Sequence, residues 1–111
     1  MSGLIAHRGI GGRSYETMKA AMIHVTHAAG ADGAPHGFTG NAVCPGLFMT
    51  DTHREWNEQK PGVSEAIGAG LPVGRAGEPA ELGPLAVYLA SPASAYMTGA
   101  ALVIDGGYTL W

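Results

Sequence analysis

The chain has 111 residues, 46% of them hydrophobic, with a formal net charge of −3. That length points to one domain or a piece of a larger one, and the apolar content excludes a disordered chain. Six scattered Lys and Arg residues form no patch for phosphate, so nucleic acid is excluded as a partner, and no apolar run is long enough to span a membrane. The opening residues do not read as a signal peptide. Cys44 is the only cysteine, which leaves no internal disulfide and no CxxC metal site and makes a reducing, cytoplasmic setting the expectation.

Residues 1–13, "MSGLIAHRGIGGR", are too glycine-rich for a regular element and read as a loop. A helix is expected from Ser14, a good N-cap, with Glu16 and Thr17 in its first turn. Met18, Met22, Val25 and Ala29 recur at helical spacing, with His24 and His27 on the other side, and the methionines read as core filler. "GADGAPHG", 30–37, closes this helix, and "FTGNAVCPG", 38–46, reads as a short strand in which Cys44 is a packing residue. From 47 to about 77 the chain reads as irregular, with solvated Glu55, Glu58 and Glu65, and such a long segment is more often functional than idle. "EPAELGPLAVYLAS", 78–91, predicts a second amphipathic helix with Pro79 near its first position, starting late or kinked because of Pro84. "AALVIDGG", 100–107, predicts a buried strand, with Asp105 serving the turn that follows. Strands separated by helices imply a right-handed crossover and a parallel sheet, and hence an α/β fold. Two parallel strands make a poor independent sheet, so the chain reads as part of something larger.

Tyr15 and Lys19 stand four residues apart on the first helix, so one face carries a phenol and an ammonium. A nearby cation stabilises phenolate and makes a tyrosine a more useful general acid or base. Ser2, thirteen positions before Tyr15, adds a hydroxyl that could hold a substrate carbonyl or alcohol. On spacing alone such a Tyr–Lys pair is a weak signal.

Further landmarks follow in order: "NAVCPG" at 41–46 with Thr50 after it, "PVGRAGEP" at 72–79, "LAVYLASPASAYMTG" at 85–99 and "VIDGG" at 103–107. With Ser2 and "YETMK" they give a chain that resembles the short-chain dehydrogenase/reductase family, from its catalytic serine to its C-terminus. The resemblance implies the C-terminal part of a Rossmann-like doubly wound parallel sheet, with residues 1–111 as that portion of one NAD(P)-binding domain. It implies Tyr15 as catalytic acid/base, Ser2 as the group that orients the substrate carbonyl, and Lys19 as the partner of both tyrosine and nicotinamide ribose. Pro45 and Gly46 would pack the nicotinamide end, with the backbone near Phe48 and the Thr50 hydroxyl reaching its carboxamide and phosphates. The segment from 51 to about 74 would be the substrate loop, with Met49 and Trp56 lining it.

The family's glycine-rich turn between first strand and first helix has no counterpart here. "RGIGGRS" has Ser14 where the last glycine belongs, and "GAGLPVG" at 68–74 has the wrong spacing. The Asn-Asn-Ala-Gly segment is missing too, so the adenine and pyrophosphate half of the cofactor site has no residues in this chain. Met18 stands where the family often has Ser, and Gly40 where it has a β-former. The expected function is an NAD- or NADP-dependent oxidoreductase of small carbonyl or alcohol substrates, such as a sugar, a polyol or a 3-oxoacyl compound. The alternative is a non-catalytic remnant that keeps only packing and assembly surfaces. A homo-oligomer is expected in either case, because the apolar faces lack their cover. No metal is expected: His24 and His27 have no identifiable third ligand.

Overall fold

The computed structural model describes residues 13–110; of the expected loop at 1–13, residues 1–12, with Ser2, lie outside the described residues, and Arg13 is already helical. The element order is α1 (Arg13–Gly33), a 3₁₀ turn (Ala34–His36), β1 (Ala42–Pro45), α2 (Asp51–Gln59), α3 (Val63–Ala69), α4 (Pro79–Leu89), a 3₁₀ turn (Pro92–Ser94), β2 (Ala101–Ile104) and a last 3₁₀ turn (Tyr108–Leu110). β1 and β2 pair in parallel with Ala42 opposite Ala101 and Pro45 opposite Ile104. The parallel α/β arrangement expected from the element order is present.

α1 runs through Gly30 and ends at Gly33, within the 30–37 segment expected to close it. A Cβ on Gly30 would lie 2.7 Å from Thr98 Oγ1 and 3.1 Å from both the Gly40 carbonyl oxygen and the Gly99 nitrogen. Glycine at this position therefore permits close packing, and termination falls to the 3₁₀ turn and Gly37, whose φ is 79°. The inward face differs from the expected one. Lys19, Ile23, Thr26 and Gly30 turn inward, while Met18 (53% exposed), Met22 and Val25 (65%) stay at the surface. The close approach to Gly40 and Gly99 is made at Gly30, where no side chain fits, and it puts the face of Ile23 and Thr26 inward instead of the methionine stripe.

β1 is shorter than the expected 38–46 because the residues before it bond to a loop and not to a strand. Asn41 donates its side-chain amide to the Met97 carbonyl (2.8 Å) and accepts from Ala100 N–H (3.0 Å), and Gly99 N–H donates to the Gly40 carbonyl at 2.6 Å. Cys44 is fully buried and Ala42 5% exposed, as a packing role requires. Pro45 ends β1 without weakening the ladder, since it is Gly46 N–H that donates to the Ile104 carbonyl (2.9 Å). β2 is not the buried strand expected: Leu102 and Ile104 are half-buried, while Ala101 and Val103 are exposed, with no described element over that face.

The segment 47–77 is not irregular. α2 starts at a Thr50 N-cap, and α3 follows Gly62, held at φ 84°. α4 begins at Pro79 and continues through Pro84. Gly83 precedes that proline, so no Cβ meets the ring, and the cost is mainly the lost bond to the Ala80 carbonyl. A capping box fixes its start, with Glu81 accepting from the Glu78 N–H at 2.8 Å. Leu82, Leu85 and Leu89 form its half-buried stripe.

Candidate active site

The first turns of α1 carry Tyr15 and Lys19 on one face, as their spacing requires. The Lys19 ammonium lies over the Tyr15 ring, 5.4 Å from its centroid, within cation–π range. Tyr15 is 44% exposed and Lys19 half-buried, so the phenol is open to a reactant while its cation is held beside it.

Pro45, Gly46, Phe48 and Thr50 come together in one cleft of about 180 Å³, completed by His53 on α2 and Pro79 and Leu82 on α4. Gly46 is required by its neighbours, since a Cβ there would lie 2.6 Å from the Asp105 Cα. Asp105, 8% exposed, is fixed by the turn it serves: its two oxygens accept from Gly107 N–H (2.8 Å) and Thr109 N–H (2.9 Å). Burial alone would raise its pKa, but the hydrogen bonds from Thr109 and Gly107 outweigh it and hold the carboxyl below its ordinary value. Phe48 bridges to Gly77, with Gly77 N–H donating to the Leu47 carbonyl and Met49 N–H to the Gly77 carbonyl, so Phe48's own N–H is turned away from Gly77. A Cβ on Gly77 would meet the Phe48 ring at 2.8 Å.

Thr50 has a structural duty beside any binding one. Its hydroxyl accepts the His53 backbone N–H at 3.4 Å and lies 3.0 Å from the imidazole Nδ1 of the same residue. His53, Pro79 and Leu82 are the lining residues that sequence reasoning missed. The only signal for His53 was its place three residues after a potential helix cap.

Met49 does not line this cleft. It borders a larger one, about 700 Å³, with Arg54, Ser64, Arg75, Glu78 and Glu81. Arg54 pairs with Glu78 at 2.7 Å, tying α2 to the start of α4, and Arg75 holds Glu81 by two contacts of 2.7 Å. The Arg75 guanidinium and the Glu78 N–H hold the Glu81 carboxyl down at about 2. Trp56 lines neither cleft; Lys60 Nζ lies 6.0 Å from its ring. Tyr15 and Lys19 likewise stand apart from both sets of lining residues. His24 and His27 are exposed, with ring centroids 6.4 Å apart. No cluster of three or more His, Cys, Asp or Glu exists among the described residues, and no described helix is long and apolar enough to cross a membrane.

A sequence family described as Enoyl-(Acyl carrier protein) reductase matches residues 1–109. Galactitol 2-dehydrogenase (L-tagatose-forming) of Cereibacter sphaeroides is 41% identical over all of this chain, which covers 43% of that protein. A short-chain type dehydrogenase/reductase from Mycobacterium marinum superposes with a TM-score of 0.73 at 45% identity, over 86% of this chain and 36% of the other. Pseudomonas aeruginosa RhlG, solved as an NADP active-site complex, superposes with a TM-score of 0.84 at 31% identity, over 97% of this chain and 44% of that one. The chain thus spans less than half the length of the relatives it matches. Fold, landmark order and this likeness agree, and the chain belongs to the short-chain dehydrogenase/reductase family.

Proposed function

We propose that residues 1–111 are the C-terminal, proton-transferring portion of an NAD(P)-dependent oxidoreductase that interconverts a carbonyl and an alcohol on a small molecule. The observation that carries this reading is the Lys19 ammonium over the Tyr15 ring on the first turns of α1. Tyr15 gives its phenolic proton to the developing alkoxide in reduction and takes it back in oxidation, with Lys19 stabilising the phenolate between the two. Ser2 orients the substrate oxygen. The residues of the smaller cleft fit the nicotinamide end of the cofactor. Among the described residues its walls are apolar apart from Thr50 and His53, which suits a flat ring bearing one amide. Phe48 N–H and the Thr50 hydroxyl would hold the carboxamide, with Pro45 and Gly46 against the ring. When bound, the cofactor supplies the hydride.

A polyol or its ketose is the substrate class best supported, because the 41%-identical relative is named for galactitol oxidation. Trp56 belongs to the substrate-loop segment in this reading, and Met49 lies just before it. Self-association of the protein is supported by Met18, Val25 and Val87, all more than half exposed. A cytoplasmic location rests on the single cysteine, fully buried and unavailable for a disulfide.

The test is a binding comparison on the 111-residue chain between nicotinamide mononucleotide and adenosine monophosphate, by ligand-observed NMR. Saturable binding of the nicotinamide half alone is expected, because only its residues are here. Equal binding of both nucleotides, or of neither, would contradict the reading.

A further inference from the structure

We infer that His53 is a positioning residue that sets the hydrogen-bonding sense of Thr50 and thereby selects a ligand with an amide N–H donor; this rests on the smaller cleft being the nicotinamide end. Of the described side chains lining that cleft, only Thr50 and His53 have polar atoms, and these two face each other at 3.0 Å between Oγ1 and Nδ1. A threonine hydroxyl has one proton to give and two lone pairs to receive with. The His53 backbone N–H occupies one lone pair at 3.4 Å. We assign His53 the tautomer with its proton on Nε2, so that Nδ1 accepts and takes the hydroxyl proton. What remains toward the cleft is a single lone pair, so Thr50 acts there as an acceptor only.

An acceptor in an apolar slot discriminates. The NH₂ of a carboxamide can donate to it, whereas a carboxylate in the same place sets oxygen against oxygen and is rejected. Without the imidazole the hydroxyl proton is free to rotate into the cleft, and Thr50 can donate to either group. His53 would therefore act on ligand choice without touching the reacting atoms. Its side chain is separable from the fold locally, because the helix cap uses the backbone N–H of residue 53 and any residue there supplies it.

The experiment titrates nicotinamide mononucleotide and its carboxylate counterpart, nicotinic acid mononucleotide, into the chain and its His53→Leu and His53→Asn variants. The wild type should prefer the amide. His53→Leu should lose the preference for the amide over the acid by about three- to ten-fold, through tighter binding of the acid, the scale of one hydrogen bond. His53→Asn, whose Oδ1 can accept where Nδ1 did, should restore it. Unchanged preference in His53→Leu, or no rescue by His53→Asn, would overturn the inference while leaving the cleft reading intact. If the wild type binds nicotinamide mononucleotide no better than adenosine monophosphate, the cleft reading falls and the inference with it. Should His53→Leu fail to fold, the wild-type preference and its retention in His53→Asn still decide: a wild type indifferent between amide and acid refutes the role.

Discussion

Replacing Gly46 with alanine places a methyl carbon 2.6 Å from the Asp105 Cα, 2.8 Å from its Cβ and 3.0 Å from its carbonyl oxygen. All three atoms belong to a residue that cannot swing aside. Asp105 follows β2 directly, and its carboxylate is pinned by Gly107 and Thr109. Relief has to come from separating the ends of β1 and β2, which strains the Gly46 N–H bond to the Ile104 carbonyl, now 2.9 Å. Overpacking a well-packed site costs about 1–3 kcal/mol, and a clash against backbone belongs at the upper end, about 3 kcal/mol. Gly70→Ala is the matched control, because its Cβ would meet nothing closer than 3.4 Å. Urea unfolding followed by tryptophan fluorescence should show a clearly lower midpoint for Gly46→Ala and little change for Gly70→Ala. A Gly46→Ala protein within about 0.5 kcal/mol of wild type would refute the close approach, since surface changes away from special features fall in that range.

Thr50→Ala should cost about 1 kcal/mol through the lost N-cap of α2, with Thr50→Ser recovering most of it, read from the same unfolding curves. Glu81 has a folded pKa of about 2 against an ordinary 4.5, so its contribution is complete above pH 4.5 and is lost as pH falls from 4.5 through 2. Side-chain carboxyl NMR should show this low midpoint in the wild type and its return toward 4.5 when Arg75 is replaced by Met. A Glu81 midpoint near 4.5 in the wild type would mean that the Arg75 pair does not form in solution.

The parts of the fold that were legible had strong local signals. Ser14 drew attention to the start of α1, although it lies within the helix, which already includes Arg13, and not at its cap; the β-formers of "ALVI" with Gly106 and Gly107 behind them marked β2 and its turn. The inward face of α1 was not legible. The apolar stripe of Met18, Met22 and Val25 follows helical spacing, but which face packs was decided by Gly30 and its approach to Thr98. α2 was invisible to periodicity because "DTHREWNEQ" has a single apolar residue, Trp56, and no buried one. It is held by the Thr50 cap and by the Arg54–Glu78 pair, the latter linking residues 24 apart in sequence. The cleft was legible in part for a related reason. Pro45, Gly46, Phe48 and Thr50 are close in sequence and carry the family's pattern, whereas Pro79 and Leu82 reach the same space from another helix. Met49, between Phe48 and Thr50 in sequence, borders the larger cleft instead, and Trp56 on α2 stands beside Lys60.

The claim that Tyr15 moves the proton is tested most directly by turnover in a chimera. The 111 residues would replace the aligned portion of galactitol 2-dehydrogenase, to which they are 41% identical, so that the nucleotide-binding half is supplied by the relative. Galactitol oxidation should survive in the chimera and fall by about 10²–10⁴-fold in Tyr15→Phe, the range for loss of general acid–base catalysis. A folded, cofactor-binding chimera whose rate is unchanged by Tyr15→Phe would contradict the account.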